Sequence, residues 1–332
     1  MQAIQFNEPG SADVLYLGEC PDPVIREPDE VRVRLLAAGV NPVDTKVRAG
    51  GMLVEGAPHN TPGCDGVGIV EACGDAVQHV RPGQRVAFCF GGTGADPGTC
   101  AEQAVVPEAA LVPVPDAVSD AEAAALPLAW ITAREALIDR GGLQKGDYVL
   151  VHAASGGVGQ MAVQLARAAN ARVLGLVRSD AGVEVMRALG ADHVDIRSDR
   201  AATDIAAFTD GRYFDLVLDT VGGDTFVEGL GQIRFAGRLV TLLAPPDGMD
   251  WNPARLQNAA IHLELMLTPM LQRSRTGLAR QAKIVADGLT RLEAGTLEVN
   301  VEDVLPLAQT AEAHRRIEAG GRRGKLVLRI PD

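Results

Sequence analysis

Apolar positions recur in two rhythms along this chain, and the change between them divides it. Residues 31–36 alternate Val, Arg, Val, Arg before two leucines, the period-two pattern of a half-buried strand. Residues 66–70 and 85–90 are further short apolar runs, set apart by Gly, Pro and Asp. Residues 105–115 carry Pro107, Pro113 and Pro115 and read as extended chain. The rhythm shifts at Ser119-Asp-Ala-Glu122, a capping-box start that opens an alanine-rich helix over 121–128. From 147 to 245, apolar runs at 148–151, 172–177, 193–196, 214–218 and 238–243 alternate with stretches of helical spacing. That alternation predicts a doubly wound parallel sheet. Residues 254–295 read as mostly helical, interrupted near Pro269, and 325–330 as a strand that returns to the first, β-rich part.

One turn inside the alternating region carries chemistry. After the run at 148–151 comes Ser155-Gly156-Gly157-Val158-Gly159, and then apolar residues at helical spacing. A helix N-terminus offers unpaired N–H groups and a positive dipole end, and glycines let a pyrophosphate approach them. Strand, glycine turn, helix and second strand together predict a dinucleotide site, although Ala153 or Ala154 stands where the first fingerprint glycine would be. At the end of the second strand, an NAD site would place a carboxylate for the ribose hydroxyls. This chain has Arg178 and Ser179, a guanidinium and a hydroxyl suited to a 2′-phosphate. NADPH is therefore the expected cofactor, with Asp180 the one nearby residue that opposes it.

Composition narrows the partners. A net charge of −12 with no basic stripe argues against nucleic acid. No apolar run is long enough to span a bilayer, and Met1-Gln-Ala-Ile-Gln lacks a signal-peptide pattern, so the expected location is cytoplasmic. Five scattered cysteines without a C-x-x-C read as reduced thiols. The pattern holds no Ser/His/Asp triad, paired carboxylates or Walker loop to support a hydrolase or kinase.

Further strings extend the picture over nearly the whole chain. They are Ala38-Gly-Val-Asn41-Pro-Val-Asp44-Thr-Lys46, Pro62-Gly63-Cys-Asp65-Gly-Val-Gly68, Gly98-Thr-Cys-Ala-Glu102, Thr132-Ala133, Leu189-Gly-Ala-Asp192, Asp219-Thr-Val-Gly222 and Gly324-Lys-Leu-Val-Leu328. In this order they resemble the medium-chain dehydrogenase/reductases, in particular the zinc-free quinone oxidoreductase-like branch. The resemblance implies a β-rich GroES-like catalytic domain over 1–122, completed by 269–332, and a Rossmann domain over 123–268, with substrate and cofactor between them. Val40 and Asn41 stand where a catalytic-zinc cysteine would be, Cys64-Asp65 stand where a His-Glu pair would be, and the run of structural-zinc cysteines is missing. No metal is expected.

The activity so implied is NADPH-dependent hydride transfer to a quinone or an α,β-unsaturated carbonyl. A secondary alcohol/ketone oxidoreductase and a non-catalytic NADPH-binding protein of crystallin type are the rivals. By resemblance Lys46 stabilises the developing oxyanion, and a lysine there, where quinone reductases often carry Tyr, leans toward enone or enal acceptors. Asn41 is expected near the nicotinamide ribose or the substrate, and Asp44 is expected to bond backbone or pair with Lys46. Thr132 is expected at a phosphate or the nicotinamide. Ser155, Gly156, Gly157, Val158 and Lys325 belong with the pyrophosphate, and Val221, Leu243 and Ala244 with the nicotinamide half. His152 reads as a core histidine more readily than as a general acid, and Trp130 fits cleft and core equally. Loops 51–60 and 247–257 are expected to shape the pocket. A homodimer is expected through sheet edges near 219–223 and 239–243.

Overall fold

The computed structural model describes residues 1–51, 53, 60–196, 201–321 and 323–331, without the side chains of 193, 195, 196 and 201–204. Within it the chain forms two compact units. The first comprises Met1–Leu128, Leu267–Gly320 and Gly324–Asp332, and the second comprises Ala129–Met266 and Gly321–Arg323.

The first unit is built on sheet. Strands β1 (Gln2–Gln5) and β2 (Tyr16–Glu19) form an antiparallel pair. The main sheet includes β3 (Glu30–Val40), β4 (Asp65–Cys73), β5 (Arg85–Cys89), β6 (Gln103–Pro107) and β7 (Val112–Pro113), in the order β3-β4-β5-β7 with β6 paired to β3. The alternation read at 31–36 is the start of the longest of these strands. Val31, Val33 and Leu35 are fully buried, while the arginines between them are half-buried. Helix α1 (Pro42–Gly50) follows β3 with Pro42 at its first turn, where a missing N–H costs nothing. Helix α2 (Asp120–Ala125) begins at Ser119, whose hydroxyl accepts from Glu122 N while the Glu122 carboxylate accepts from Ser119 N, as the sequence predicts.

The second unit is a six-stranded parallel sheet. Helix α3 (Pro127–Arg134) leads into it. Its strands are β8 (Tyr148–Val151), β9 (Arg172–Val177), β10 (His193–Ile196), β11 (Phe214–Asp219), β12 (Ile233–Thr241) and β13 (Ala260–Leu263). Helices α4 (Gly157–Ala168), α5 (Asp180–Ala188), α6 (Ala201–Phe208) and α7 (Asp224–Gln232) make the crossovers. The strand order β10-β9-β8-β11-β12-β13 reverses direction between β8 and β11, and ligands of such sheets bind outside the strand ends there. All four residues of β8 are buried, as a strand covered on both faces requires. Leu150, Leu174, Phe214, Val217, Phe226 and Leu239 form the heart of one face, each Phe contributing about 2–3 kcal/mol on burial.

Two strands escape the sequence pattern. The 254–295 stretch is not continuous helix, since Ala260–Leu263 pairs in parallel with β12 before the long helix Arg275–Glu293. Four residues show too little periodicity to betray a strand. The other is β14 (Val301–Pro306), which pairs in parallel with β15 (Lys325–Arg329). Strand β15 returns to the first unit, as expected, and pairs with β3. Because β13 covers it, β12 is an inner strand, so the sheet edge expected at 239–243 lies instead at Ala260–Leu263. Among the described residues no helix is long and apolar enough to cross a membrane.

Candidate active site

In the second unit the glycine turn forms as the sequence predicts, with one adjustment. Ala153, at the place of a fingerprint glycine, takes a left-handed backbone with φ of 47°. Gly159 is required for packing: a Cβ there would lie 2.5 Å from Ala154 O and 2.6 Å from Ala154 Cα. The helix can therefore seat closely on the end of β8. Helix α4 starts after Gly156 with no side chain capping it, so the first-turn N–H groups of Gly157 and Val158 are open to a ligand. Ser155 through Val158 are all partly exposed. Gln160 Nε2 braces the turn by donating to Ser155 O at 2.8 Å and to Arg323 O at 2.8 Å.

At the end of β9, Arg178 is exposed. Ser179 is the N-cap of α5, and its Oγ accepts from Gly182 N at 3.3 Å. Its own hydroxyl proton remains to be donated outward. An uncapped helix start, a close-packed glycine and an exposed guanidinium past the second strand fit a dinucleotide.

The far side of the same sheet end holds Val221, Leu243 and Ala244. Val221 and Ala244 are exposed, and Leu243 is half-buried. Behind them lies Asp219, fully buried. Its carboxylate accepts from Val221 N at 3.0 Å, from Gly222 N at 3.0 and 3.1 Å, and from Thr241 Oγ1 at 2.9 Å. His152 Nδ1 lies 3.5 Å from it, with Gln232 Oε1 3.4 Å from Nε2. Desolvation pushes the Asp219 pKa up, but His152, the two backbone N–H groups and Thr241 outweigh it, and the net shift is downward. His152 is thus a core histidine held between two partners. Trp130 is 1% exposed, on the core side of the two readings, and Thr132 is buried in α3.

In the first unit the structure joins Asn41, Asp44 and Lys325 around Asp65, a residue to which the sequence pattern assigns no role. Asn41 caps α1, and its backbone N–H donates to Asp44 Oδ2 at 2.7 Å. Its side-chain Nδ2 donates to Asp65 Oδ2 at 2.8 Å, and its Oδ1 accepts from Lys325 Nζ. Lys325 Nζ is 3.7 Å from Asp65 Oδ2, and Leu128 N donates to Asp65 Oδ1 at 2.9 Å. All four polar side chains are buried. Lys325 therefore faces Asn41 and Asp65, a different role from the phosphate contact that the resemblance implies. Asp44 bonds backbone, one of its two expected roles. Desolvation, with Asp65 adding repulsion, raises the Asp44 pKa to about 7, against the pull of Asn41 N and Lys325.

Lys46, two residues on, is exposed, and desolvation lowers its pKa. Cys64 is buried with Sγ 3.3 Å from Gly91 O. Among the described residues no group of three His, Cys, Asp or Glu could hold a metal ion. Of loop 51–60, including His59, residues 52 and 54–59 lie outside the described residues; loop 247–257 contains the short helix Asn252–Leu256.

Comparison with known proteins agrees with this geometry. Residues 27–116 match the family described as alcohol dehydrogenase GroES-like domain, and residues 189–328 match zinc-binding dehydrogenase. The chain is 34% identical over 350 aligned residues to a phenolphthiocerol/phthiocerol polyketide synthase of Mycobacterium tuberculosis, covering 99% of this chain but 15% of the synthase. It is 32% identical to a quinone oxidoreductase of Pseudomonas aeruginosa, with 98% of each chain covered. Among solved structures it is similar to an NAD-dependent alcohol dehydrogenase (TM-score 0.88, 30% identity, 100% of both chains). It is also similar to a mycobacterial protein solved with NADPH (TM-score 0.87, 27% identity, 99% and 100% covered). An end-to-end match of this strength to a quinone oxidoreductase, together with the two folded units, means that the chain belongs to the medium-chain dehydrogenase/reductase superfamily.

Proposed function

We propose that this chain is an NADPH-dependent oxidoreductase that reduces a quinone or an α,β-unsaturated carbonyl without a metal. The observation that carries the reading is the exposed Arg178 beside Ser179 at the end of β9, next to an uncapped glycine-turn helix. The Gly157 and Val158 N–H groups would hold the pyrophosphate, Arg178 and Ser179 the 2′-phosphate, and Val221, Leu243 and Ala244 the nicotinamide half. When bound, the reduced nicotinamide supplies the hydride. Lys46 offers its ammonium to the carbonyl oxygen, where negative charge gathers as hydride reaches the conjugated carbon. Asn41, Asp44, Asp65 and Lys325 hold α1 in place and so fix where Lys46 stands. One relative, a polyketide synthase of which this chain matches a stretch, is named highly reducing, which supports reduction as the direction of the reaction.

The likeness to an NAD-dependent alcohol dehydrogenase favours a second reading, with a ketone or alcohol as substrate. One assay separates them: oxidation of NADPH and of NADH against a panel of quinones, enals, enones and plain ketones. The proposal expects NADPH to be preferred and conjugated acceptors to react. Arg178→Ser is expected to cut kcat/KM for NADPH about tenfold or more and to leave NADH unchanged. Lys46→Ala is expected to lower kcat about tenfold or more. Turnover with NADH alone, or an unchanged rate in Lys46→Ala, removes the corresponding role. For the proposed homodimer, the edge strand next to β12 is β13, where Leu263 is exposed, and Leu263→Lys should shift the protein to monomer in size-exclusion chromatography.

A further inference from the structure

Three loops leave the sheet of the second unit at the place where its strand order reverses. One follows β8 and carries the glycine turn, one follows β11 and carries Val221, and one follows β12 and carries Leu243. Nothing in a parallel sheet joins such loops to one another beyond the strand ends, because the ladder stops there. In this protein one buried carboxylate does so.

Asp219 closes β11, and its two oxygens accept from the N–H groups of Val221 and Gly222. The loop is thereby folded back on the strand end, an Asx-type turn. On Oδ2 it also takes the Thr241 hydroxyl from the last residue of β12. The Thr241 Oγ1 in turn accepts from Leu243 N at 3.2 Å, so the second loop is tied to the same anchor. The two loops also touch: a Cβ at Gly222, where φ is +77°, would lie 2.9 Å from Leu243 Cδ1. On the other side stands His152, the first residue after β8. Its ring lies 3.5 Å from the carboxylate, and its carbonyl accepts from Thr220 Oγ1 at 2.9 Å. One side chain thus gathers the ends of β8, β11 and β12 around the reversal point.

We propose that Asp219 is a positioning residue for the cofactor: through Thr241 and the Val221 and Gly222 amides it holds the two loops that receive the nicotinamide half. It touches no ligand itself. The inference rests on the NADPH reading above and deepens it. A fully buried carboxylate is an expensive way merely to end a strand, and donors from separate loops are what make it worth keeping. Binding is strengthened because the loops are ordered before ligand arrives, so less ordering is left to be done on association.

The test uses the full chain. Fluorescence titration gives the NADPH dissociation constant, steady-state kinetics give KM for the acceptor, and amide hydrogen exchange reports on Val221 and Gly222. Asp219→Asn is expected to weaken NADPH binding about tenfold, the loss of one charge-assisted hydrogen bond, with acceptor KM unchanged and both amides exchanging faster. Thr241→Val should weaken NADPH binding by a smaller factor at unchanged melting temperature, and Thr241→Ser should restore it. A folded Asp219→Asn protein with unaltered NADPH affinity and protected amides overturns the proposal. If that variant does not fold, Thr241→Val decides, and unaltered affinity and protection there overturn it equally. Failure of the unsubstituted protein to bind NADPH defeats the functional reading instead, and is told apart because it needs no substitution to appear.

Discussion

The two units each bury a carboxylate at the root of a proposed binding element, and the protein treats them in opposite ways. Asp219 in the second unit and Asp44 in the first are both 1% exposed or less. Desolvation is the largest single cause acting on both, yet the Asp219 pKa is lowered and the Asp44 pKa is raised to about 7. The difference lies in the donors. Asp219 has two backbone N–H groups, a hydroxyl and an imidazole around it. Among the described residues Asp44 has Asn41 N on one oxygen and only the weak Cys64 thiol besides, and Asp65 adds a second negative charge. Burial alone thus does not set the charge of a carboxyl: donors outweigh it at Asp219, whereas desolvation prevails at Asp44 and, despite Lys325, Asn41 and Leu128 N, at Asp65 as well. Asp219 remains an anion and can act as an anchor. In the first unit two carboxyls share one lysine, and at neutral pH Asp44 is poised to carry the extra proton.

The comparison is sharpened most by removing the donor-rich member of the first unit. Asp65 accepts from Asn41 Nδ2 and Leu128 N and lies 3.7 Å from Lys325 Nζ. Asp65→Ala leaves a buried ammonium facing an amide, a change that typically costs about 3–5 kcal/mol. Chemical denaturation should show that loss. A loss under about 1 kcal/mol would mean that the network contributes little to stability.

The next effect is a pH dependence with a definite sign. The folded-state pKa of Asp44 is raised from 3.8 to about 7. Its contribution to stability is therefore fully present below the unfolded value and is lost as pH rises from there through about 7. The span corresponds to a loss on the order of 4 kcal/mol if no relaxation occurs. Asp44→Asn keeps an oxygen for Asn41 N but cannot ionise. Melting temperatures measured from pH 5 to 8 should fall in the parent and stay flatter in the variant, with the variant the more stable at pH 8. Parallel curves would place the extra proton elsewhere in the cluster.

Legibility in the sequence differs between the two sites for a physical reason. The glycine turn, Arg178 and Ser179 lie within 25 residues of one another, and local spacing suffices to read them. The Asp219 turn is legible too, since Asp-x-x-Gly is a local pattern. Its link to Thr241 is not, because pairing across a sheet is decided by strand register. The first-unit cluster is hidden for the same reason more strongly: Asn41 and Lys325 are 284 residues apart, and only the pairing of β15 with β3 brings them together. The family resemblance marks Asn41, Asp44 and Lys325 as notable residues and gives no sign that Asp65 joins them. The short edge strand Ala260–Leu263 is illegible for a related reason, since what makes it a strand is its partner β12.

The smallest expected effect lies on the acid side and tests the other half of the comparison. Because the folded-state pKa of Asp219 is lowered, the stability it contributes is present above the unfolded value of about 3.8 and is lost as pH falls through the folded one. The sign is opposite to that of Asp44. Thr241→Val removes one donor, so the Asp219 carboxylate should protonate at a higher pH in that variant, and its acid unfolding should begin earlier. Near neutral pH the two proteins should melt together, because the anion is retained in both. An earlier acid midpoint without a change at pH 7 is the expected result of circular-dichroism titrations. If the acid midpoints coincide, the Thr241 hydroxyl does not help to hold the charge, and the contrast with Asp44 would then rest on the backbone N–H groups and His152 alone.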